Sequence, residues 1–251
     1  RGLPAISALD LVTDVETGMP LALVDGTSVT NMRTGGHAAV GAKFLARPES
    51  TRVGIIGCGN EGRTHLLALN ELFPLSEVAA FDIDEEQVAR FAQDVSARTG
   101  VTVEAAPSVE AAAAGADIVC VVTTAPEPVL SSEWVEAGTH VCAATGFRDV
   151  AKSCATDFDK WVVGWYGRDL EWIEGPEVGK LGGLAPGDLS KADIHADIAT
   201  EIMSGSRPGR ERFAERTIMT HMGMPALDAA VASLVYELAL EADAGTWIKV
   251  F

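Results

Sequence analysis

Basic residues are scarce in this sequence. Its 19 lysines and arginines are outnumbered by 36 acidic residues, which gives a formal net charge of -17. Such a surplus of negative charge opposes binding to phosphate backbones and to anionic lipid. No apolar run reaches the roughly 20 residues that a membrane helix needs. The sequence therefore predicts neither a nucleic acid nor a membrane as a partner.

Cysteine is also rare. The chain has four cysteines, without CxxC spacing and mostly within or beside apolar runs, where free thiols behave as small hydrophobes. This usage suits a reducing cytoplasm, which is the expected location. The five histidines share no metal-binding spacing, and no G-x-S-x-G motif is present. The sequence thus predicts no metal site and gives no support to a hydrolase.

Apolar residues are plentiful, at 47% of 251, and they fall into alternating strand and helix patterns. The pattern of residues 9–30 predicts a β-hairpin, and the pattern of residues 33–46 predicts a helix of small residues. Stretch 166–190 indicates an irregular connection, and the apolar helix 225–242 should be buried. Between them, strands are predicted at 52–57, 77–82, 101–105, 117–123, 139–145 and 160–165, and helices at 61–73, 84–98 and 108–114. Apolar strands alternating with helices predict an α/β fold whose parallel sheet is covered on both faces.

A glycine-rich stretch, "VGIIGCGNEG", links the first of these strands to its helix. A G-x-G-x-x-G pattern alone is weak evidence, but its position at a strand-to-helix junction makes it specific. Gly57 permits the turn, Gly59 lets the backbone approach a pyrophosphate, and Gly62 lets helix and strand pack closely. The helix N-terminus would then face the anion. The stretch predicts a doubly wound, dinucleotide-binding Rossmann domain.

An acidic residue, Asp82, ends the second strand, "EVAAFD", where the fingerprint needs a partner for the adenosine ribose hydroxyls. The next residues, "IDEE", are acidic where a 2′-phosphate would require arginine. The predicted cofactor is therefore NAD. The full set of cofactor-binding candidates is Thr34, Gly57, Gly59, Asn60, Glu61, Asp82, Thr123, Thr124 and Thr145.

Two charged residues far apart in the chain are candidates for substrate contacts. Arg33 could bind a substrate carboxylate, because a guanidinium fork matches it bidentately; a surface arginine paired with an acid is the alternative. Asp228 begins the final helix and could simply favour the helix dipole. It could instead hold or deprotonate an amino group while hydride leaves the neighbouring carbon.

Longer motifs carry a resemblance to a known family. With "DVETGMPLALVDGTSVTNMRTGG", "GAKFLA", "VGIIGCGNEG" and "GMPALDAAVA", the chain resembles the ornithine cyclodeaminase and μ-crystallin family over nearly its whole length. "SSEWVEAGTH" and "AGTWIKVF" are most like the archaeal-type alanine dehydrogenases. The chain starts at Arg1 and enters strand-like sequence at once, so we expect an N-terminal segment to be missing.

The resemblance implies a Rossmann domain, 34–216, inserted in a smaller α+β domain for substrate binding and dimerisation. That second domain would be formed by 1–33 and 217–251, and the protein would be a homodimer. Arg33 matches the family arginine that binds the substrate carboxylate, and Asp228 the aspartate that interacts with the reacting amino group. The implied activity is NAD-dependent oxidation at the C–N bond of a small α-amino acid, as in ornithine cyclodeaminase or alanine dehydrogenase. An imine, ketimine or opine-type reductase and a non-catalytic crystallin-like binding protein are the alternatives.

Overall fold

The computed structural model describes residues 7–180 and 183–249. The chain divides into two compact units, the larger being Thr34–Gly223 and the smaller combining the chain up to Arg33 with the chain from Met224 onward. The strands are β1 (Leu9–Thr13), β2 (Pro20–Asp25), β3 (Arg52–Ile56), β4 (Glu77–Phe81), β5 (Thr102–Ala105), β6 (Ile118–Val121), β7 (His140–Ala143), β8 (Lys160–Val163), β9 (Ala196–Asp197) and β10 (Thr217–Thr220). The α-helices are α1 (Gly26–Leu45), α2 (Asn60–Asn70), α3 (Glu85–Thr99), α4 (Val109–Ala113), α5 (Ser153–Thr156), α6 (Tyr166–Ile173) and α7 (Pro225–Glu241).

The larger unit is built on a parallel sheet of eight strands in the order β5-β4-β3-β6-β7-β10-β8-β9. The chain moves outward from β3 to β4 and β5, and then returns to the other side of β3 with β6. This reversal is the point at which open α/β sheets bind ligands, beyond the carboxyl ends of the strands. The expected α/β class with a doubly wound parallel sheet is confirmed.

Two apolar clusters cover the two faces of this sheet. Alternate residues of each strand point to opposite faces, so Val53 and Ile55 join one cluster and Ile56 the other. Strand β6 divides in the same way, with Ile118 on the first face and Val119 on the second. The continuous apolar runs in the sequence reflect this burial on both sides.

Two parts of the larger unit differ from the sequence expectation. Residues 217–223, assigned to the smaller domain, belong to the larger unit because β10 lies between β7 and β8 in its sheet. The stretch 166–190, expected to be irregular, begins with α6. Short four-residue strands and eight-residue helices carry too little periodicity to be recognised among turn residues.

The smaller unit contains the antiparallel hairpin of β1 and β2, which confirms that prediction. Helix α1 begins at Gly26 rather than near 33, because the Asp25 carboxylate accepts hydrogen bonds from Thr27 N at 3.0 Å and Ser28 Oγ at 2.6 Å. Such side-chain capping starts a helix even where polar and β-branched residues follow.

The final helix, α7, packs against β1 and β2. The expectation that it is buried is wrong for this chain: Leu234, Leu238 and Leu240 are about half exposed, and Ala232 is its buried residue. A two-stranded hairpin can cover one side of a helix, whereas the apolar residues of α7 extend around more than one side. Its outer side therefore remains exposed among the residues that the structure describes.

Candidate functional site

The glycine-rich loop after β3 has the conformation that a dinucleotide cradle requires. Gly57 has a φ of +103°, and a Cβ built there would lie 2.6 Å from Val122 O. A Cβ at Gly62 would lie 2.3 Å from Gly57 O, so helix and strand pack too closely for any side chain. At Gly59, by contrast, no heavy atom lies within 4 Å of a built Cβ. The loop thus has two glycines that the fold requires and one that faces open space.

Helix α2 starts directly at this open space. Gly59 is its N-cap residue and makes no side-chain cap, and Asn60 and Glu61 form the beginning of its first turn. The backbone N–H groups of a first helical turn have no partner within the helix and bind anions well. Loop and helix therefore fit a pyrophosphate.

Asp82 lies beyond β4, beside the loop, and performs a second task that the sequence did not indicate. Its Oδ2 accepts a hydrogen bond from Cys58 N at 2.8 Å, and its Oδ1 one from Asp84 N at 3.1 Å. Gln87 Nε2 donates to Cys58 O at 2.7 Å. A carboxylate oxygen has room for more than one donor, so Asp82 can fix the glycine loop and still accept from ribose hydroxyls.

Among the other cofactor candidates, Thr123 and Thr145 follow β6 and β7 and meet at the same buried carboxylate. Asp149 accepts from Thr123 N at 3.0 Å, from Thr123 Oγ1 at 3.1 Å and from Thr145 Oγ1 at 2.5 Å. Burial raises the pKa of Asp149, against the hydrogen bonds from both threonines. Thr124 is exposed and Thr34 is buried in α1. Asp149, which sequence reasoning missed, holds the ends of two strands together.

Arg33 and Asp228, separated by 195 residues in the chain, are in direct contact within the smaller unit. Arg33 Nε donates to Asp228 Oδ1 at 2.9 Å, and Thr30 Oγ1 donates to the same oxygen at 3.2 Å. Both partners of the ion pair are partly exposed, with 15% and 28% of their side chains accessible. The pair presents a guanidinium and a carboxylate together, which is the charge pattern that complements a zwitterionic amino acid.

A small pocket of about 30 Å³ lies in the larger unit near the ends of β7 and β10, and its lining includes Thr145, Gly146, Asp169 and Met222. The Asp169 carboxylate accepts hydrogen bonds from Trp165 N at 2.7 Å and from Met222 N at 2.8 Å. It is only 3% exposed, and this burial raises its pKa to about 7, against those hydrogen bonds. Sequence reasoning missed Asp169 because its helix was expected to be irregular chain.

Asp169→Asn is expected to change how the stability of the protein depends on pH. The pKa of Asp169 is about 7 in the folded chain and 3.8 is its ordinary value. Folding therefore carries no ionisation cost below pH 4, and the free energy of unfolding falls as pH rises toward 7. The fall is on the order of 3 to 4 kcal/mol and is absent in the variant. Urea unfolding between about pH 4 and pH 8 measures it.

Asp197→Asn is the matched control for this measurement. Asp197 is also fully buried and accepts backbone hydrogen bonds, from Tyr166 N at 2.6 Å and Ala199 N at 2.8 Å. This variant should lose stability at every pH and keep most of the fall toward pH 7, because burial is the largest cause of the raised pKa of Asp169 and the charge of Asp197 is a smaller one. A wild-type protein whose stability does not decline over that range would contradict the prediction.

Within residues 7–180 and 183–249, histidine, cysteine, aspartate and glutamate form no group of three or more suited to a metal ion. Within the same ranges, no helix has the length and apolar character needed to cross a bilayer. The four cysteines are buried and unpaired as thiols.

Known proteins share both the sequence pattern and the fold. The profile of the ornithine cyclodeaminase/mu-crystallin family matches residues 1–243. An alanine dehydrogenase of Archaeoglobus fulgidus is 35% identical over 255 residues, which span 100% of this chain and 76% of that protein. The Thermococcus litoralis Δ1-pyrroline-2-carboxylate reductase in complex with NADH and L-proline has a TM-score of 0.87 at 34% identity, covering 98% of this chain and 76% of that one. An archaeal alanine dehydrogenase dimer with bound NAD has a TM-score of 0.86 at 34% identity, covering 100% of this chain and 77% of that one.

Proposed function

Because this chain belongs to the ornithine cyclodeaminase/mu-crystallin family, we propose that it is an NAD-dependent oxidoreductase acting on the C–N bond of a small α-amino or imino acid. The observation that supports this most directly is the 2.9 Å contact between Arg33 and Asp228. These are the two residues that the family resemblance assigns to the substrate. The relatives named above, an alanine dehydrogenase and a Δ1-pyrroline-2-carboxylate reductase, support this substrate class.

In the proposed reaction Arg33 binds the substrate carboxylate, since its guanidinium has donors beyond the Nε that reaches Asp228. Asp228 accepts a hydrogen bond from the amino group and stabilises the positive charge of the iminium product. NAD, when bound, supplies the acceptor for the hydride that leaves Cα. Asp82 would accept hydrogen bonds from the ribose, and the glycine loop with the start of α2 would bind the pyrophosphate.

A panel experiment tests this function. The purified protein is mixed with NAD and single L-amino acids, and with NADH and either a 2-oxo acid plus ammonia or a cyclic imine, while nicotinamide absorbance is followed. Turnover with at least one substrate is expected. Tight NAD binding without turnover in either direction would overturn the enzymatic proposal.

The reductive direction is the second candidate, and the similarity to a Δ1-pyrroline-2-carboxylate reductase in complex with NADH and L-proline supports it. A cyclic imine needs no added ammonia, whereas reductive amination of a 2-oxo acid does. Dependence of NADH oxidation on ammonia therefore separates a ketimine reductase from an amino-acid dehydrogenase.

We also propose that two copies associate through the smaller unit. The outer side of α7 is apolar and uncovered, with Leu234 and Leu238 each 52% exposed, and an archaeal relative is an NAD-bound dimer. Exposed apolar patches of this kind mark association surfaces. Sedimentation equilibrium should give twice the chain mass, and a monomer at micromolar concentration would contradict it.

The buried free thiols support the expected cytoplasmic location.

Asp82→Ser is expected to weaken NAD binding by roughly tenfold to a hundredfold, which corresponds to losing a charged hydrogen-bond acceptor. The preference for NAD over NADP should narrow, because the carboxylate that repels a 2′-phosphate is gone. Fluorescence titration with NADH and NADPH measures both effects. Glu77→Ser is the control: Glu77 begins the same strand and pairs with the exposed Arg52 at 3.1 Å, so its loss removes one negative charge from β4 and should leave the preference unchanged. An unchanged preference in Asp82→Ser would contradict the assigned role.

A further inference from the structure

Two of the four buried cysteines lie side by side in the parallel sheet. Cys120 on β6 and Cys142 on β7 are direct partners in the strand register, and both belong to the apolar cluster on one face of the sheet. Neighbouring strands lie about 4.8 Å apart, which is within the Cα separation of roughly 4.4 to 6.8 Å that a disulfide spans. The two thiols also hydrogen-bond each other. The fold therefore forms a dithiol in the core of the larger unit.

Two fully buried histidines, His65 on α2 and His140 on β7, lie beside this pair. His65 Nδ1 donates to Glu61 O at 2.7 Å, because a carbonyl oxygen can only accept, and this leaves Nε2 as the basic nitrogen. Among the described residues, His65 Nε2 has no hydrogen-bond partner. Burial lowers the pKa of His65, against the influence of Cys142, so the ring is neutral and can accept a proton. A buried polar atom without a partner indicates a redox or catalytic role.

The environment divides the four thiols into two kinds. Burial raises the pKa of Cys58 and of Cys154 to about 12. A hydrogen bond from Cys120 is the main cause that lowers the pKa of Cys142, against burial, and the two imidazoles lower it further. The thiolate is the form that attacks an oxidant, and a second thiol nearby can then resolve the product. Cys142 is therefore suited to the first role and Cys120 to the second.

Both strands of the dithiol lead to cofactor candidates. Thr123 follows Cys120 at the end of β6, Thr145 follows Cys142 at the end of β7, and the hydroxyls of both threonines donate to Asp149. A disulfide holds its Cβ atoms about 3.8 Å apart, which is about 1 Å closer than neighbouring strands place them. Closing the pair would thus shift the ends of β6 and β7, where the two threonines are held.

We propose that Cys120 and Cys142 are a site of reversible oxidation, at which hydrogen peroxide converts the dithiol to a disulfide and thereby weakens NAD binding. The role requires NAD binding but no turnover, so it rests only on the cofactor part of the proposed function. Disulfides that form in a reducing compartment are usually transient and redox-sensing.

The oxidation proceeds in two steps. Cys142 gives its proton to His65 Nε2, and its sulfur attacks one oxygen of the peroxide; the O–O bond breaks, a sulfenic acid forms, and the departing hydroxide takes the proton from His65 and leaves as water. The sulfur of Cys120 then attacks the sulfenic sulfur, and the hydroxyl leaves with the proton of Cys120 as a second water. Two thiols lose two electrons, which reduce one peroxide to two waters.

The buried pair becomes accessible when α2 moves away from the sheet. Cys120 and Cys142 are 0% and 1% exposed, and Leu66 and Leu69 of α2 belong to the same apolar cluster. NAD bound at the start of α2 would stabilise the closed state, so the cofactor should protect the thiols. With NAD at about 100 times its dissociation constant, the rate of oxidation should fall at least tenfold.

Treatment of the purified protein with hydrogen peroxide, with and without NAD, tests the site. Digestion without reductant, followed by mass spectrometry, should identify one cross-linked peptide pair that joins Cys120 to Cys142 and is lighter by two hydrogens, with Cys58 and Cys154 still reduced. After removal of peroxide, fluorescence titration should show a dissociation constant for NADH raised about tenfold. Dithiothreitol should restore the original affinity.

Cys154→Ala is the matched control, because Cys154 is equally buried but lies in α5, away from the register of β6 and β7. It should keep both the cross-link and the loss of affinity. Cys120→Ala should abolish both and leave Cys142 as a sulfenic acid that dimedone labels. Peptide mapping of the wild-type protein identifies the cross-link even where Cys120→Ala does not fold.

Three results would overturn the role and leave the catalytic proposal intact: Cys120 and Cys142 that stay reduced under peroxide, an oxidation rate that NAD does not lower, and an oxidised protein that binds NADH as tightly as the reduced one. Failure of the reduced protein to bind NADH would overturn the cofactor part of the proposed function and this role together.

Discussion

Asparagine in place of Asp228 is expected to lower kcat by about 10²- to 10³-fold, while the dissociation constant for NAD stays within about twofold. Asparagine keeps an oxygen that Arg33 can bind, but it removes the negative charge that would stabilise the iminium cation. The loss therefore falls on the step in which positive charge develops at the substrate nitrogen. Steady-state kinetics with the best substrate of the panel, together with NADH fluorescence titration, separates the two effects.

Glu237→Gln is the matched control, because Glu237 lies on the same helix and is exposed. It removes the same charge from α7 without touching Arg33, so both kcat and NAD affinity should stay at the wild-type values. If Asp228→Asn lost turnover and cofactor affinity equally, Asp228 would act only through the start of α7. The helix-dipole interpretation of this residue would then replace the substrate role.

The second large effect is expected from substitutions in the glycine loop, where changes in stability can be distinguished from changes in NAD binding. Gly59→Ala is expected to leave the melting temperature within a few degrees, because a built Cβ there meets no atom within 4 Å. It should weaken NAD binding by about 10²-fold or more, since the methyl group occupies the space that the pyrophosphate needs. Thermal unfolding and NADH titration measure the two quantities on the same sample.

Gly62→Ala, by contrast, should lower the stability of the protein. Its Cβ would lie 2.3 Å from Gly57 O and 3.3 Å from Ile55 Cγ2, so the loop or the helix must move, at a cost of about 1 to 3 kcal/mol or more. Gly36→Ala, in α1, also meets no atom within 4 Å and should leave NAD binding unchanged. Normal NAD affinity in Gly59→Ala would show that no phosphate approaches this loop.

Local sequence was sufficient for the glycine loop and its surroundings. The run from β3 through Gly57 and Gly62 to α2 was predicted because each step depends on neighbouring residues: apolar strand, turn glycines and helix pattern. The hairpin of β1 and β2 was predicted for the same reason. The prediction of Asp82 also required that the second strand pairs beside the first, which the doubly wound pattern implies.

Other elements could not be predicted from local sequence. Strand β10 has four residues and was assigned to the wrong domain, because only its pairing with β7 and β8 places it in the sheet. The apolar composition of α7 predicted a buried helix, yet composition does not say whether the chain itself or a second copy covers it. The roles of Asp169 and Asp149 could not be predicted, because the local sequence around an aspartate does not show whether its side chain is exposed or buried.

The sequence by itself determined the parallel α/β sheet, the cofactor loop and the preference expected from Asp82, since these follow from residues close together in the chain. Tertiary structure alone decided which distant side chains meet. Arg33 and Asp228 contact each other across 195 residues, and His37, His221 and Asp169 converge on Gly164. The physical reason is that side-chain contacts of this kind depend on the order of strands in the sheet and on the path of the chain between them, and periodicity within one element carries no information about either.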